Sequence, residues 1–148
     1  MRIALAADHA GYGLKDELAM WLRDQGHDIT DLGTNNGESV DYPQFGQKLA
    51  RAISSGDAER GIAICGSGVG ISIAVNRDPA CRCARVDDPL SAALAREHND
   101  ANVLALGARL IGPDMAKHCV SAFLGTDFAG GRHQRRVDQL SQALQESD

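Results

Sequence analysis

A chain of 148 residues is long enough to bury one core and too short to divide, so a single domain over residues 1–148 is expected. Its net charge of −5 argues against nucleic acid or an anionic membrane as partner. The apolar run near the N-terminus is too short for a secretory signal, and nothing downstream approaches a membrane span, which points to a cytoplasmic protein.

Apolar runs of strand length alternate with longer helical patterns. In chain order the pattern predicts a strand over Arg2 to Ala7, a helix over Tyr12 to Gln25, a strand over Asp28 to Leu32 and a helix over Pro43 to Ser54. A strand over Gly61 to Cys65, a helix over Val69 to Asn76, a strand over Arg82 to Val86 and a helix over Pro89 to His98 follow. A strand over Val103 to Leu106 and helices over Pro113 to Leu124 and Gln134 to Gln145 complete the series. Leu14, Leu18, Trp21 and Leu22 make one apolar stripe on the first helix, and Gly26 stops it. Pro43, Pro89 and Pro113 stand where helices begin, in the first turn that tolerates proline. Strands alternating with helices imply an α/β fold with an open, parallel, five-stranded sheet covered on both faces. Aromatic residues are few, at one Trp, two Tyr and three Phe, as suits small aliphatic packing of helices on a sheet.

Residues 61 to 70 read Gly-Ile-Ala-Ile-Cys-Gly-Ser-Gly-Val-Gly, a strand that breaks into a thiol and then glycines at alternate positions. Such a loop lets several N–H groups face one point and cradle an anion, and the helix that follows adds its partial positive charge. A dinucleotide fingerprint would need G-x-G-x-x-G after the first strand, where the chain has Asp8-His9-Ala10-Gly11-Tyr12-Gly13. A P-loop would need Gly-Lys-Ser/Thr, and Gly70 is followed by Ile71. What remains is a small anion or an enediolate beside Cys65, the setting in which a thiolate takes a proton from carbon while the loop holds the oxyanion. The other cysteines, at 81, 83 and 119, form no C-x-x-C with it or each other. Cys81 and Cys83 share one face of a strand at a spacing poor for zinc, and all four are expected to be reduced, with neither metal nor cofactor required.

Ligands of an open parallel sheet bind beyond the carboxyl ends of its strands. Asp8-His9 end the first strand, Cys65 and the glycines the third, and Gly107-Ala108-Arg109 follow the fifth. Glu97-His98-Asn99-Asp100 run from the fourth helix toward the fifth strand, so four segments are expected to bring polar groups to one edge. One basic stretch, Arg132-His133-Gln134-Arg135-Arg136, stands out in an acidic chain.

These motifs resemble, in order and over nearly the whole chain, those of the ribose-5-phosphate isomerase B family, whose wider group includes galactose-6-phosphate and allose-6-phosphate isomerases. The carriers are Asp8-His9-Ala10-Gly11, Asp41-Tyr42-Pro43, Cys65 to Gly70, Glu97 to Leu104, Gly107-Ala108-Arg109, and Gly130-Gly131-Arg132-His133 with Arg136. The resemblance implies a three-layer Rossmann-like sandwich and a homodimer or dimer of dimers with shared active sites. It makes Cys65 the base that moves a proton between C1 and C2 of a small phosphorylated sugar, since Val69 stands where some members carry a Glu in the loop. By the same resemblance His98 opens the sugar ring, the backbone of Gly66, Ser67, Gly68, Val69 and Gly70 holds the enediolate, and the Ser67 hydroxyl lies beside O1 and O2. Asp8, Asn99 and Tyr42 would meet sugar hydroxyls, and His9, Arg109, Arg132 and Arg136 the phosphate. The segment from Asp78 to Asp88, with Cys81, Cys83 and the pair Asp87-Asp88, departs most from the family pattern.

Overall fold

Each apolar run of the computed structural model, which describes residues 1–142, pairs with its neighbours in parallel, and each amphipathic run crosses back over the sheet. The order is β1 (Arg2–Ala7), α1 (Tyr12–Asp24), β2 (Asp28–Asp31), α2 (Tyr42–Ser54), β3 (Arg60–Cys65) and α3 (Val69–Val75). Then come β4 (Cys83–Arg85), α4 (Pro89–Asn99), β5 (Val103–Gly107), α5 (Pro113–Gly125) and α6 (Arg132–Leu140). The five strands lie in the order β2-β1-β3-β5-β4 and all are parallel.

Strand order and the right-handed crossover rule together divide the helices. Steps β1 to β2 and β4 to β5 run one way across the sheet, while β2 to β3 and β3 to β4 run the other. Accordingly α1, α4 and α5 cover one face, where Leu18, Leu22, Ile62, Ile64, Leu104 and Phe123 are buried together. The other face carries α2 and α3, with Phe45, Leu49, Ile71, Val75 and Cys81 packed on Ala4, Ala63 and Ala105. Alternate residues of each central strand thus feed two cores, as a sheet buried on both sides requires. Among the described residues, no helix is long and apolar enough to cross a membrane.

One polar group lies deep in this frame. Lys15 of α1 is fully buried, with Nζ 2.6 Å from Asp31, 2.7 Å from Asp16 and 3.2 Å from the Asn35 amide oxygen. A buried ammonium is tolerated only with such partners, and these tie α1 to the loop after β2.

Every strand and helix boundary falls within one residue of the sequence reading except those of the last helix. The fourth strand keeps the three residues Cys83–Arg85 of the run Arg82 to Val86, and both flanking residues still bond to β5, Val86 N–H donating to the Ala105 carbonyl and the Arg82 carbonyl accepting from Val103. The last helix starts at Arg132, not Gln134, after Gly130 and Gly131 reverse the chain at φ +63° and +54°. It ends at Leu140, where the expected helix continued to Gln145, a residue outside those described.

Candidate active site

The chain runs from β1 out to β2 and returns to β3, so a crevice opens between the carboxyl ends of β1 and β3. Asp8 lies at the first of these ends and is buried, its Oδ1 accepting the N–H groups of Ala10 and Gly11 at 3.0 and 3.2 Å. That turn satisfies one carboxylate oxygen and leaves Oδ2 for another partner. A Cβ on Gly11 would meet the Ile64 carbonyl oxygen at 2.7 Å, so only glycine lets this loop lie against β3. His9 accepts the Val40 N–H on Nδ1 at 3.1 Å. The same Nδ1 lies 3.2 Å from the Val40 carbonyl oxygen, so the Val40 backbone orients the ring and leaves Nε2 toward the crevice as the second polar atom.

Cys65 ends β3, buried, with Sγ accepting the Gly68 N–H at 3.2 Å. Gly68 sits at φ +77° in contact with the Leu106 backbone, which makes the turn glycine-dependent. The Val69 N–H is taken by Ser67 Oγ at 3.2 Å. Two of the five loop amides are thus spent inside the loop, and those of Gly66, Ser67 and Gly70 have no acceptor among the described residues. Arg109, on the turn after β5, lays its guanidinium over Gly66, where a Cβ would come within 3.3 Å of Nη1. Tyr42 packs its ring on Gly70, so close that a Cβ there would lie 2.6 Å from the ring.

The expectation that four segments share this edge is corrected by the direction of α4. A crossover helix between parallel strands begins at the carboxyl edge and ends at the amino edge, so His98 and Asn99 lie with the start of β5. Cys65 pairs with Gly107, four residues along β5 from Val103, which puts the two edges at least about 13 Å apart at ~3.3 Å per residue. Asn99 lines a cavity of about 410 Å³ at the amino edge together with Asn76, Arg82, Cys83 and Leu140. The basic stretch belongs to this edge as well. His133 of α6 stacks on His98 with ring centroids 4.6 Å apart and planes 15° from parallel, and Ala129 N–H donates to the Glu97 carbonyl. Arg132 and Arg136, one turn apart on α6, therefore stand beside His98. Burial first, and then the charges of His98, Arg132 and Arg136, hold the His133 imidazole below its usual range.

The four cysteines are free and differ in kind. Burial, aided by nearby acidic groups, pushes the thiols of Cys81 and Cys119 up to about 11, and burial raises Cys83 too, so these three stay protonated at neutral pH. Cys65 alone has its sulfur on a loop amide at the mouth of the crevice. Among the described residues no three His, Cys, Asp or Glu side chains converge as a metal ion would need. Sequence reasoning missed Arg85, which donates Nε–H to the Ser67 carbonyl at 2.9 Å, because nothing local marks a basic residue on an edge strand as a neighbour of the glycine loop.

Fold and site define a Rossmann-like α/β protein with an anion-cradling loop and a thiol at the switch point of its sheet. The chain belongs to the ribose/galactose isomerase family, whose model matches residues 3–140. It is 44% identical over 140 residues to ribose-5-phosphate isomerase B of Escherichia coli, covering 95% of this chain and 94% of that one. A second relative, the D-erythrulose-4-phosphate isomerase of Pectobacterium atrosepticum, is 39% identical over 141 residues, with 95% and 93% covered. Among solved structures, ribose-5-phosphate isomerase B of Clostridium thermocellum superposes with a TM-score of 0.94 at 49% identity, over 95% of each chain. The Mycoplasma genitalium enzyme with bound ribulose-5-phosphate superposes at 0.90 and 38% identity, over 95% of this chain and 93% of that one.

Proposed function

We propose that this chain, as one domain over residues 1–148, is a cofactor-independent isomerase that interconverts ribose 5-phosphate and ribulose 5-phosphate. The observation that carries this is Cys65: a thiol on a loop amide beside three unspent N–H groups, in a family of sugar isomerases. The Cys65 thiolate removes the C2 proton of the open aldose, so that the C–H bond breaks, an S–H bond forms and the electron pair moves through C1 onto the aldehyde oxygen. The N–H groups of Gly66, Ser67 and Gly70 hold the resulting oxyanion, a role that preorganised amides fill at no reorganisation cost. The Ser67 hydroxyl lies beside both oxygens and passes the O2 proton to O1, and the thiol returns its proton to C1. Asp8 Oδ2 accepts from a sugar hydroxyl, Tyr42 walls the pocket, His9 Nε2 bonds to substrate and Arg109 donates to it at this edge.

His98, Asn99, Arg132 and Arg136 lie at the other edge of the same chain, and their roles in ring opening, hydroxyl contact and phosphate binding require a second copy. We place them over the partner's Cys65 crevice in a homodimer, alone or doubled, with each site shared. The exposed apolar residues Val69 and Ile73 of α3, one turn apart near Tyr42, suit such a contact. The acidic chain, without a membrane-spanning helix among the described residues, fits work in the cytoplasm with a small phosphorylated sugar and neither membrane nor nucleic acid.

Turnover of four-, five- and six-carbon aldose phosphates tests this. Ribose 5-phosphate is expected to give the highest kcat/KM. A four-carbon phosphate turned over faster would favour the second reading, which the Pectobacterium relative supports, and no turnover of any would overturn both.

A further inference from the structure

The peptide between Ser67 and Gly68 is held from both ends. Its N–H, on Gly68, donates to Cys65 Sγ at 3.2 Å, and its C=O, on Ser67, accepts from Arg85 Nε at 2.9 Å. Arg85 closes the edge strand β4, and its Nη1 is fixed by the Asp87 carboxylate at 2.6 Å. The Arg85 side chain is 27% exposed and the contact faces solvent, so it is the geometry of the bond, fixed at both nitrogens, that gives it direction. On its other flank the Ser67 carbonyl meets Gly107, where a Cβ would lie 2.7 Å from the oxygen. The carbonyl therefore sits in a slot between a glycine and a guanidinium.

The slot matters because this peptide can turn over. Gly68 is at φ +77°, and glycine populates negative φ equally well, so rotating the plane costs little in sterics. Turned over, the peptide would aim its carbonyl dipole at the sulfur and repel a thiolate. Arg85 opposes that rotation, since its charged Nε–H has its acceptor only in the observed orientation. A cation on the carbonyl also polarises the amide and strengthens the N–H at its far end. Asp87 keeps the planar guanidinium in register, which a more mobile ammonium would not match.

We propose that Arg85, braced by Asp87, is a positioning residue that locks the Ser67–Gly68 peptide with its N–H on the Cys65 sulfur. Both residues fall in the segment from Asp78 to Asp88, outside the motifs that carry the family resemblance. The inference rests on Cys65 being the base.

Arg85→Met keeps the length of the side chain and removes its donors. It is expected to lower kcat for ribose 5-phosphate by about fivefold to tenfold with KM little changed, the pattern of a lost effect on the base. Alkylation of Cys65 by iodoacetamide at neutral pH, read by mass analysis of the Cys65 peptide, should slow by a similar factor while Tm stays close to that of the unaltered protein. Arg85→Lys should fall between the two, and Asp87→Asn should move both readouts the same way by less. Unchanged Cys65 alkylation in Arg85→Met would overturn the inference, as would a raised KM with unchanged kcat, which would put Arg85 on the substrate instead. Failure of the base reading shows elsewhere: a Cys65→Ala protein that isomerises normally would remove the base, while alkylation in the Arg85 variants still reports whether the brace acts on the sulfur.

Discussion

At the carboxyl edge the candidate groups are loop amides and a buried thiol with Asp8, His9, Tyr42 and Arg109 around them, whereas at the amino edge they are Arg132 and Arg136 and a stacked histidine pair. The first edge is built by close approach, with Gly11 against Ile64, Gly68 against Leu106 and Gly107 against Ser67, and is finished within one chain. The second is built by side chains on α4 and α6, with Arg96 paired to Asp100 and the His98 ring stacked on His133. A rigid amide cradle stabilises charge as it develops, while mobile guanidinium groups recruit a phosphate. On the proposed function, the difference teaches that the proton transfer belongs to the carboxyl edge and part of the substrate capture to the amino edge, which a second copy would bring together.

The sharpest way to break that division is at the thiol. Cys65→Ala is expected to lower kcat by at least ~10²-fold with substrate binding retained, measured by direct assay and by titration of ribose 5-phosphate. Cys65→Ser should be equally inactive, since a hydroxyl is a poor base at neutral pH. A folded Cys65→Ala protein with near-normal turnover would take the chemistry away from the carboxyl edge. At the other edge, Arg132→Ala and Arg136→Ala should each raise KM by about tenfold, as expected for one charged hydrogen bond lost, with a much smaller change in kcat. Loss of kcat without loss of affinity would mean that the amino edge takes part in proton transfer.

The smallest expected effect is on stability. The His133 imidazole titrates below the usual 6.5 in the folded chain, so between that value and its lowered one the unfolded chain binds the proton more readily. Stability is therefore fully present above 6.5 and is lost as pH falls through that window. Urea unfolding at neutral and mildly acidic pH should show a slightly larger loss for the unaltered protein than for His133→Phe, which keeps a stacked ring and cannot be charged. An equal loss in both would mean that the His98–His133 stack does not report on the charges around it.

Much of this was legible in the sequence because the signals were local. Period-two and helical runs placed the strands and helices, with prolines and glycines marking the ends, and the glycine loop announced itself beside Cys65. The last helix was misplaced at its start because Arg132 to Arg136 are all polar and carry no apolar period. The position of His98 was misread for a different reason. Adjacency in sequence to β5 suggested the Cys65 edge, although a helix running antiparallel to its strands must end at the other. Arg85 was invisible because its partner, the Ser67 carbonyl, lies 18 residues away and is brought near only by the pairing of β4 with β5 beside β3.

Subunit mixing tests the divided site most directly. Cys65→Ala chains and chains carrying both Arg132→Ala and Arg136→Ala are mixed, exchange is verified by native mass spectrometry of differently tagged chains, and activity is read at a substrate level where neither parent turns over. If each site takes its thiol from one chain and its arginines from the other, every mixed dimer regains one intact site, about a quarter of full activity after random exchange. Verified mixed dimers that stay inactive would contradict the account, and so would a protein that sediments as a monomer while fully active.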